Sequence, residues 1–272
     1  MENIQTFTAF TITANNKSDF DTVSYSQFKY GCTTHGIRFA KKLFDVFDQN
    51  LFDSKKDYIV YSSPYQSIPT ATYCMAREFF ELLKERMQPY GRKVKFEKLF
   101  RDPTYTVDYG TLTREDRLKL IGQDTFSFIK TPKEDFTLIF LDDVKVTGSH
   151  EHVLKNSIKK LDIQNPLILG YYAIVHPELP AKYEHDINEA AISGIEDLVQ
   201  IGQQVDFEFN TRVVKRLLIS EPHDFDYVLT SLKNDQLRSM RKLAESNGYH
   251  NIEAYQTNYE KLLHFVQKHV VR

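Results

Sequence analysis

The first two-thirds of the chain alternates short apolar runs with longer segments whose apolar residues recur every three or four positions, as strands separated by helices do. Residues 4–13 alternate in polarity, which predicts a strand, and the polar stretch 14–22 predicts a loop. Ile37, Ala40, Leu43, Phe44 and Phe47 then recur at helical spacing, so a helix is expected over 34–47 with Thr33 or Thr34 as its cap. Residues 58–61 read as a short strand. A helix over 70–87 follows, with Cys74, Met75, Phe79, Leu82 and Leu83 on its apolar face, and then another strand near 93–100. The run Leu138-Ile139-Phe140-Leu141 has no polar alternation and fits a strand buried on both faces, as in a parallel sheet covered by helices. A helix over 149–161 and a strand over 167–175 complete the series. Strand and helix in alternation give an α/β fold with a parallel sheet.

Past His176-Pro177-Glu178-Leu179-Pro180 the texture changes. Helical periodicity dominates over 187–201, 211–219, 225–232, 237–246 and 252–270, with one strand-like alternation at 205–209. The expected organisation is an α/β core over residues 1–180 and a helical appendage over 181–272, packed on it. The appendage's Tyr227, Tyr249, Tyr255 and Tyr259 fit the filling of a core between helices.

Composition narrows the class of partner. The 272 residues are 41% hydrophobic and 26% charged, with a net charge of -2, which suits a globular protein with a sizeable core. Near-neutrality excludes a broad nucleic-acid surface, which needs a basic excess. Small molecules are the expected partners, with a homodimer as the candidate assembly. Cys32 and Cys74 have neither metal-like spacing nor a disulfide framework, and no basic segment runs into an apolar stretch near the start. No apolar run approaches the length of a membrane span. A cytoplasmic location is the expectation.

The chemistry concentrates where the buried strand ends, in Asp142-Asp143-Val144-Lys145-Val146-Thr147-Gly148-Ser149-His150. Ionised Asp142 and Asp143 are pure acceptors, suited to the vicinal hydroxyls of a sugar. A phosphate needs donors instead, and the backbone N–H groups of a turn entering a helix supply them with a favourable dipole. Thr147 and Ser149 add hydroxyls, and Gly148 lets the backbone approach a bulky anion. An acidic pair in this place also fits a helix cap or a Mg²⁺ site for phosphotransfer, but neither requires the Thr-Gly-Ser that follows. Other constellations fail. His150 and His152 lie two apart on a helix and point to different sides, and there is no Gly-x-Gly-x-x-Gly, no P-loop and no Gly-x-Ser-x-Gly elbow.

In these residues the chain resembles the type I phosphoribosyltransferases, whose signature joins an apolar strand, two acidic residues and a small Thr/Gly-rich loop. Lys145 stands where an apolar residue is common and His150 where the loop usually ends in a small residue, which mark an atypical branch. Phe28-Lys29-Tyr30-Gly31 resembles a segment of the ComF-like group. The resemblance implies a Rossmann-like parallel-sheet core with a C-terminal helical subdomain. It also implies transfer of the 5-phosphoribosyl group of phosphoribosyl pyrophosphate to a nitrogen acceptor, a nucleobase or related heterocycle, with release of pyrophosphate.

Asp142 and Asp143 would then be the catalytic pair that holds the ribose hydroxyls, with Val144, Lys145, Val146, Thr147, Gly148, Ser149 and His150 around the 5′-phosphate. Ser62, Ser63, Pro64, Tyr65, Gln66 and Ser67, between an early strand and a helix, occupy the place of the pyrophosphate loop. Lys29 could reach the same group. The segment 101–123 stands where the family has a flap, from which Arg101, Arg114 or Arg117 would contact pyrophosphate. Mg²⁺ is the implied cofactor, held mainly by substrate and water, with no dedicated protein cage. Two alternatives remain: a non-catalytic protein that senses phosphoribosyl pyrophosphate and acts through its helical tail, and a Mg²⁺-dependent phosphohydrolase, which would favour Asp-x-Asp over adjacent carboxylates.

Overall fold

The computed structural model describes residues 4–102, 125–133 and 135–269. Five strands form one sheet: β1 (Ile4–Ile12), β2 (Asp57–Tyr61), β3 (Val94–Glu97), β6 (Phe136–Lys145) and β7 (Leu167–Val175), in the order β1-β7-β6-β2-β3. Every neighbouring pair is parallel. β6 lies at the centre and is buried from Phe136 to Leu141, as its unbroken apolar run requires. Between β1 and β2 come α1 (Thr22–Lys29) and α2 (Thr33–Asn50); α3 (Thr72–Met87) links β2 to β3, and α4 (Ser149–Lys160) links β6 to β7.

Alternation along the strands sorts side chains to the two faces. On one face Phe7 packs its ring 5.6 Å from Phe47 of α2 and 6.2 Å from Phe79 of α3, and Tyr172 stacks on Phe39 at 4.1 Å. On the other, Ile59, Tyr61, Leu138, Phe140, Leu167 and Leu169 bury against Val153, Leu154 and Ile158 of α4. A small antiparallel hairpin of β4 (Leu99–Asp102) and β5 (Thr125–Phe128) joins this second face through Leu99 and Phe126. The strand expected over 93–100 is therefore two strands: β3 pairs with β2, and the chain leaves the sheet at Lys98 to form the hairpin.

The connections decide where a ligand can sit. From β2 the chain moves outward to β3, whereas from β6 it moves the opposite way to β7. With right-handed crossovers, α3 and α4 fall on opposite faces and leave a crevice beyond the carboxyl ends of β2 and β6. Both signature turns leave the sheet at that crevice, since Tyr61 pairs with Phe140.

The chain forms two compact units, and the division does not follow a single boundary. Thr22–Thr34 and Gln66–Ala71 belong with the residues from Ile187 onward, and the rest of the described chain forms the sheet unit. Helical periodicity over the C-terminal third is realised as α5 (Tyr183–Asn188), α6 (Ile195–Gly202), α7 (Thr211–Leu218), α8 (Pro222–Ser231), α9 (Asn234–Ser246) and α10 (Glu253–His269). Hydrogen bonds tie the two N-terminal segments in. Ser26 Oγ donates to the Asn188 carbonyl at 2.6 Å, and Asn210 Nδ2 to that of Lys29 at 3.1 Å. Asn247 Oδ1 accepts the N–H groups of Ser67 and Ile68, at 2.8 and 3.0 Å. Such polar ties have no periodicity, so a reading of periods assigns both segments to the core.

Two further elements differ from expectation. α1 follows what reads as a loop, and Lys29 is its last residue, so Phe28-Lys29-Tyr30-Gly31 closes a helix as well as preceding one. Residues 205–209 form no strand: Phe207 makes a single bridge to Cys32, Val205 is fully exposed, and the Asp206 carbonyl and carboxylate accept from Thr33 and Thr34.

Gly170 on β7 has no room for a side chain. A Cβ there would lie 2.5 Å from Phe7 Cζ and 2.6 Å from Leu141 Cδ2, both ring or core atoms with nowhere to go. Gly170→Ala is therefore expected to cost about 1–3 kcal/mol of stability, read as a lowered midpoint of urea unfolding with its slope retained. An unchanged midpoint would contradict this packing.

Candidate functional site

The end of β6 delivers Asp142 and Asp143 to opposite faces of the sheet, so the two carboxylates have different surroundings. Asp143 is 6% exposed, and its Oδ1 accepts the N–H of Val144 at 2.7 Å. Asp142 is a meeting point. Its Oδ1 accepts from Ser63 Oγ at 2.6 Å, from the N–H of Asp143 at 3.0 Å and from Thr72 Oγ1 at 3.5 Å. Its Oδ2 faces His150 Nδ1 at 3.3 Å. One carboxylate thus gathers donors from the turn after β2, the start of α3 and the first turn of α4. Those donors are hydroxyls and an imidazole, which a ligand's own hydroxyls can replace.

Past Lys145 the chain turns through Val146, Thr147 and Gly148 into α4. Gly148 is the residue before the helix and has φ 73°, the left-handed conformation that favours glycine. The first four N–H groups of a helix have no partner within it, so this turn presents donors at the positive end of the helix dipole. Thr147 Oγ1 and Ser149 Oγ lie 2.8 Å apart, which places two hydroxyls together at the same point.

On the other side of the crevice, the Ser62 hydroxyl lies 3.2 Å from the Ser63 carbonyl, and Tyr65 N–H donates to the Leu99 carbonyl at 3.2 Å. Burial pushes the Tyr65 phenol up to about 12, so it stays protonated near neutral pH. Ser62, Ser63, Pro64, Asp142 and His150 line one pocket with about 360 Å³ of empty space. Its remaining wall is Leu99, Phe126, Phe140, Leu141, Leu154, Leu169, Glu151 and Tyr171.

The other residues singled out in the sequence fall elsewhere. Gln66 and Ser67 belong to the helical unit, where Ser67 donates its N–H to Asn247 and its hydroxyl to the Ser246 carbonyl at 2.8 Å. Those two donors are already engaged. Lys29 also belongs to the helical unit, its ammonium 5.7 Å from the centre of the Tyr25 ring. Arg101 lies in the β4–β5 hairpin opposite Phe126 and does not line the pocket. Arg114, Arg117 and the flap residues 103–123 lie outside the described residues.

Three residues at the site escape a reading of the sequence: Thr72, Glu151 and Tyr171. Glu151, in the first turn of α4, is held by Lys145 Nζ at 2.6 Å, by Lys155 Nζ, and by Tyr171 OH at 2.9 Å. Only the spacing of Glu151 and Lys155, four apart on a helix, is visible locally. Tyr171 arrives through the register of β7 against β6, where it pairs with Asp142. Burial, then the Glu151 and Asp142 charges, raise the Tyr171 phenol far above its ordinary value and keep it a donor.

Among the described residues no group of three or more His, Cys, Asp or Glu side chains could hold a metal ion. None of the described helices is long and apolar enough to cross a membrane.

Glu151 sets a pH dependence. Burial would raise its pKa, but the hydrogen bonds from Lys145, Lys155 and Tyr171 and the Lys145 charge outweigh burial and bring it from 4.5 down to about 2. A depressed carboxylate stabilises the fold above its unfolded pKa and loses that contribution as pH falls through the folded one. Allowing for solvent screening, the contribution is on the order of 1 to 2 kcal/mol. In denaturant unfolding, the stability gap between wild type and Glu151→Gln should narrow by this amount from pH 4.5 to pH 2. A gap that stays constant across that window would show that Glu151 is not held as described.

The geometry is that of an acceptor pair and a donor-rich turn at the carboxyl edge of a parallel sheet. A family model described as PRTase ComF-like matches residues 4–262, which takes in the sheet unit and most of the helical one. A search of curated proteins finds no match. The match spans nearly the whole chain, and this protein belongs to the ComF-like phosphoribosyltransferase family.

Proposed function

We propose that the chain transfers the 5-phosphoribosyl group of phosphoribosyl pyrophosphate to a nitrogen of a nucleobase or related heterocycle, releasing pyrophosphate. The observation that carries this reading is the 2.6 Å bond from Ser63 to Asp142, which brings the turns after β2 and β6 to one crevice. A donor with phosphate at one end and pyrophosphate at the other needs two anion-binding turns about one ribose. The family match supports the same class of chemistry.

In this reading Asp142 and Asp143 accept the 2′- and 3′-hydroxyls, which displace Ser63 and His150 from the carboxylate. Backbone groups from Val144 to His150, with the Thr147 and Ser149 hydroxyls, take the 5′-phosphate, and the freed Ser63 and its neighbours Ser62 to Tyr65 face the pyrophosphate. The C1–oxygen bond breaks with its electron pair leaving on pyrophosphate, and the acceptor nitrogen forms the new bond to C1. The site's task is to hold the donor in line and to stabilise charge on the leaving group.

Mg²⁺ keeps most of its water and binds through few protein oxygens, which the Asp142 and Asp143 carboxylates could supply. Bound with the substrate, it would neutralise leaving-group charge. The partners implied are small molecules, not nucleic acid or membrane.

The test is pyrophosphate release from phosphoribosyl pyrophosphate and Mg²⁺ across a panel of nucleobases and nitrogen heterocycles. Acceptor-dependent release is expected. Asp142→Asn and Asp143→Asn should each lower kcat/KM by roughly 100-fold, since an amide is a weaker acceptor for the ribose hydroxyls. The Oδ1 of an amide at 143 still accepts from Val144, so the fold should survive. Unchanged binding of the sugar phosphate in both variants would remove the site from these residues. Tight binding without any turnover would favour the sensing protein.

A further inference from the structure

Glu151 is out of place in a phosphate site. It lies two residues past Ser149, in the first turn of the helix whose N-terminus faces the crevice, where its charge opposes an incoming anion. The structure shows how that charge is met. Oε1 accepts Lys155, one helical turn on; Oε2 accepts Lys145, at the end of β6, and Tyr171, on β7. Two ammonium groups and a phenol serve one carboxylate, so the cluster carries one net positive charge beside the turn.

Among the three donors, Lys145 is the one that can leave. Without it, Glu151 keeps Lys155 on one oxygen and Tyr171 on the other, so no buried carboxylate is stranded. Lys145 also lies in the right place. Its Cε would stand 3.5 Å from a Cβ on Gly148, so the stem runs along the turn and the ammonium, one bond further, sits beside it. The ammonium is a compact charge with three donors on a flexible stem, able to change partners by rotation near its end. Its side chain is 29% exposed, and although that of Lys155 is 37% exposed, Lys155 is the donor on Oε1, so it is the departure of Lys145 that leaves both oxygens partnered.

We propose, building on the phosphoribosyl reading, that Lys145 selects a phosphorylated donor by exchanging Glu151 for the 5′-phosphate, and that Glu151 is the positioning residue which holds Lys145 at the turn until then. An unphosphorylated ribose offers nothing to replace the lost carboxylate, so the exchange occurs only for a ligand that carries the anion. This gives Lys145 a role that an apolar residue in its place cannot perform, and it explains why an acidic residue is compatible with the turn.

A double-mutant cycle tests the exchange. Binding of ribose 5-phosphate and of inorganic pyrophosphate is titrated calorimetrically for the wild type, Lys145→Met, Lys145→Arg, Glu151→Gln and the double variant K145M/E151Q. Lys145→Met should weaken ribose 5-phosphate about 10-fold, and Lys145→Arg should restore most of that loss. Glu151→Gln should tighten ribose 5-phosphate about threefold or more when Lys145 is present, and by clearly less in the K145M background. Pyrophosphate affinity serves as the control: K145M should leave it nearly unchanged while the variant's melting temperature falls with the lost contact to Glu151, whereas a general loss of structure would weaken both ligands.

Equal ribose 5-phosphate affinity in wild type and K145M overturns the proposal. So does a gain from Glu151→Gln of the same size in both backgrounds, because Glu151 would then act only through its field. A wild type that binds neither ribose 5-phosphate nor phosphoribosyl pyrophosphate overturns the phosphoribosyl reading itself, a result distinct from these.

Discussion

The candidate site depends on one strand pairing. β6 lies parallel to β2 with Tyr61 opposite Phe140, and these strands are some 80 residues apart in sequence. That pairing sets the ends of both strands side by side and lets Ser63 donate to Asp142 at 2.6 Å. Because side chains alternate, a slip of one residue would turn Asp142 to the opposite face and carry Asp143 into its place. Register is held by burial: Leu138 and Phe140 must meet α4, while Leu141 must meet Phe7 and the glycine at 170.

The pairing also places the helices. α3 and α4 start at the same edge of the sheet and leave on opposite faces, so each sends the beginning of its first turn toward the crevice: Thr72 from one, His150 from the other. Asp142 therefore fixes the relative position of three chain segments before any ligand arrives. On the proposed function the backbone is thereby preorganised, and binding exchanges side-chain partners on Asp142 rather than moving the three segments. The same edge carries the Lys145–Glu151–Lys155–Tyr171 cluster, so charge at the turn is set by residues from β6, α4 and β7 together.

Much of this was legible in the chain because burial writes periods into sequence. The apolar run Leu138 to Leu141 announces a strand buried on both faces, and β6 is that strand. Helical spacing from Ile37 to Phe47, the strand over 167–175 and the helix beginning at Ser149 appear where expected, within the few residues by which helix ends fray. The position of the acidic pair and of the Thr-Gly-Ser turn at the end of that strand was legible too, because the buried apolar run stops where the first charged residues begin. What lay beyond reach has long-range causes. Tyr171 belongs to the site only through the register of β7, and Thr72 only through the pairing of β2 with β6. Polar ties from Asn247, Asn210 and Asp206 draw Gln66–Ala71 and Thr22–Thr34 into the helical unit and leave no period to read. The family match extends through most of the helical unit, to residue 262.

On the proposed function, the turn from Val144 to His150 and the carboxylates before it receive a ribose phosphate. A crystal structure of the protein with ribose 5-phosphate bound tests it most directly. The phosphate should lie within roughly 2.7–3.2 Å of backbone N–H groups between Val146 and His150, with the ribose hydroxyls on Asp142 and Asp143 and Ser63 displaced from Asp142. A ligand bound at another place, with the bond from Ser63 to Asp142 intact, would contradict the claim.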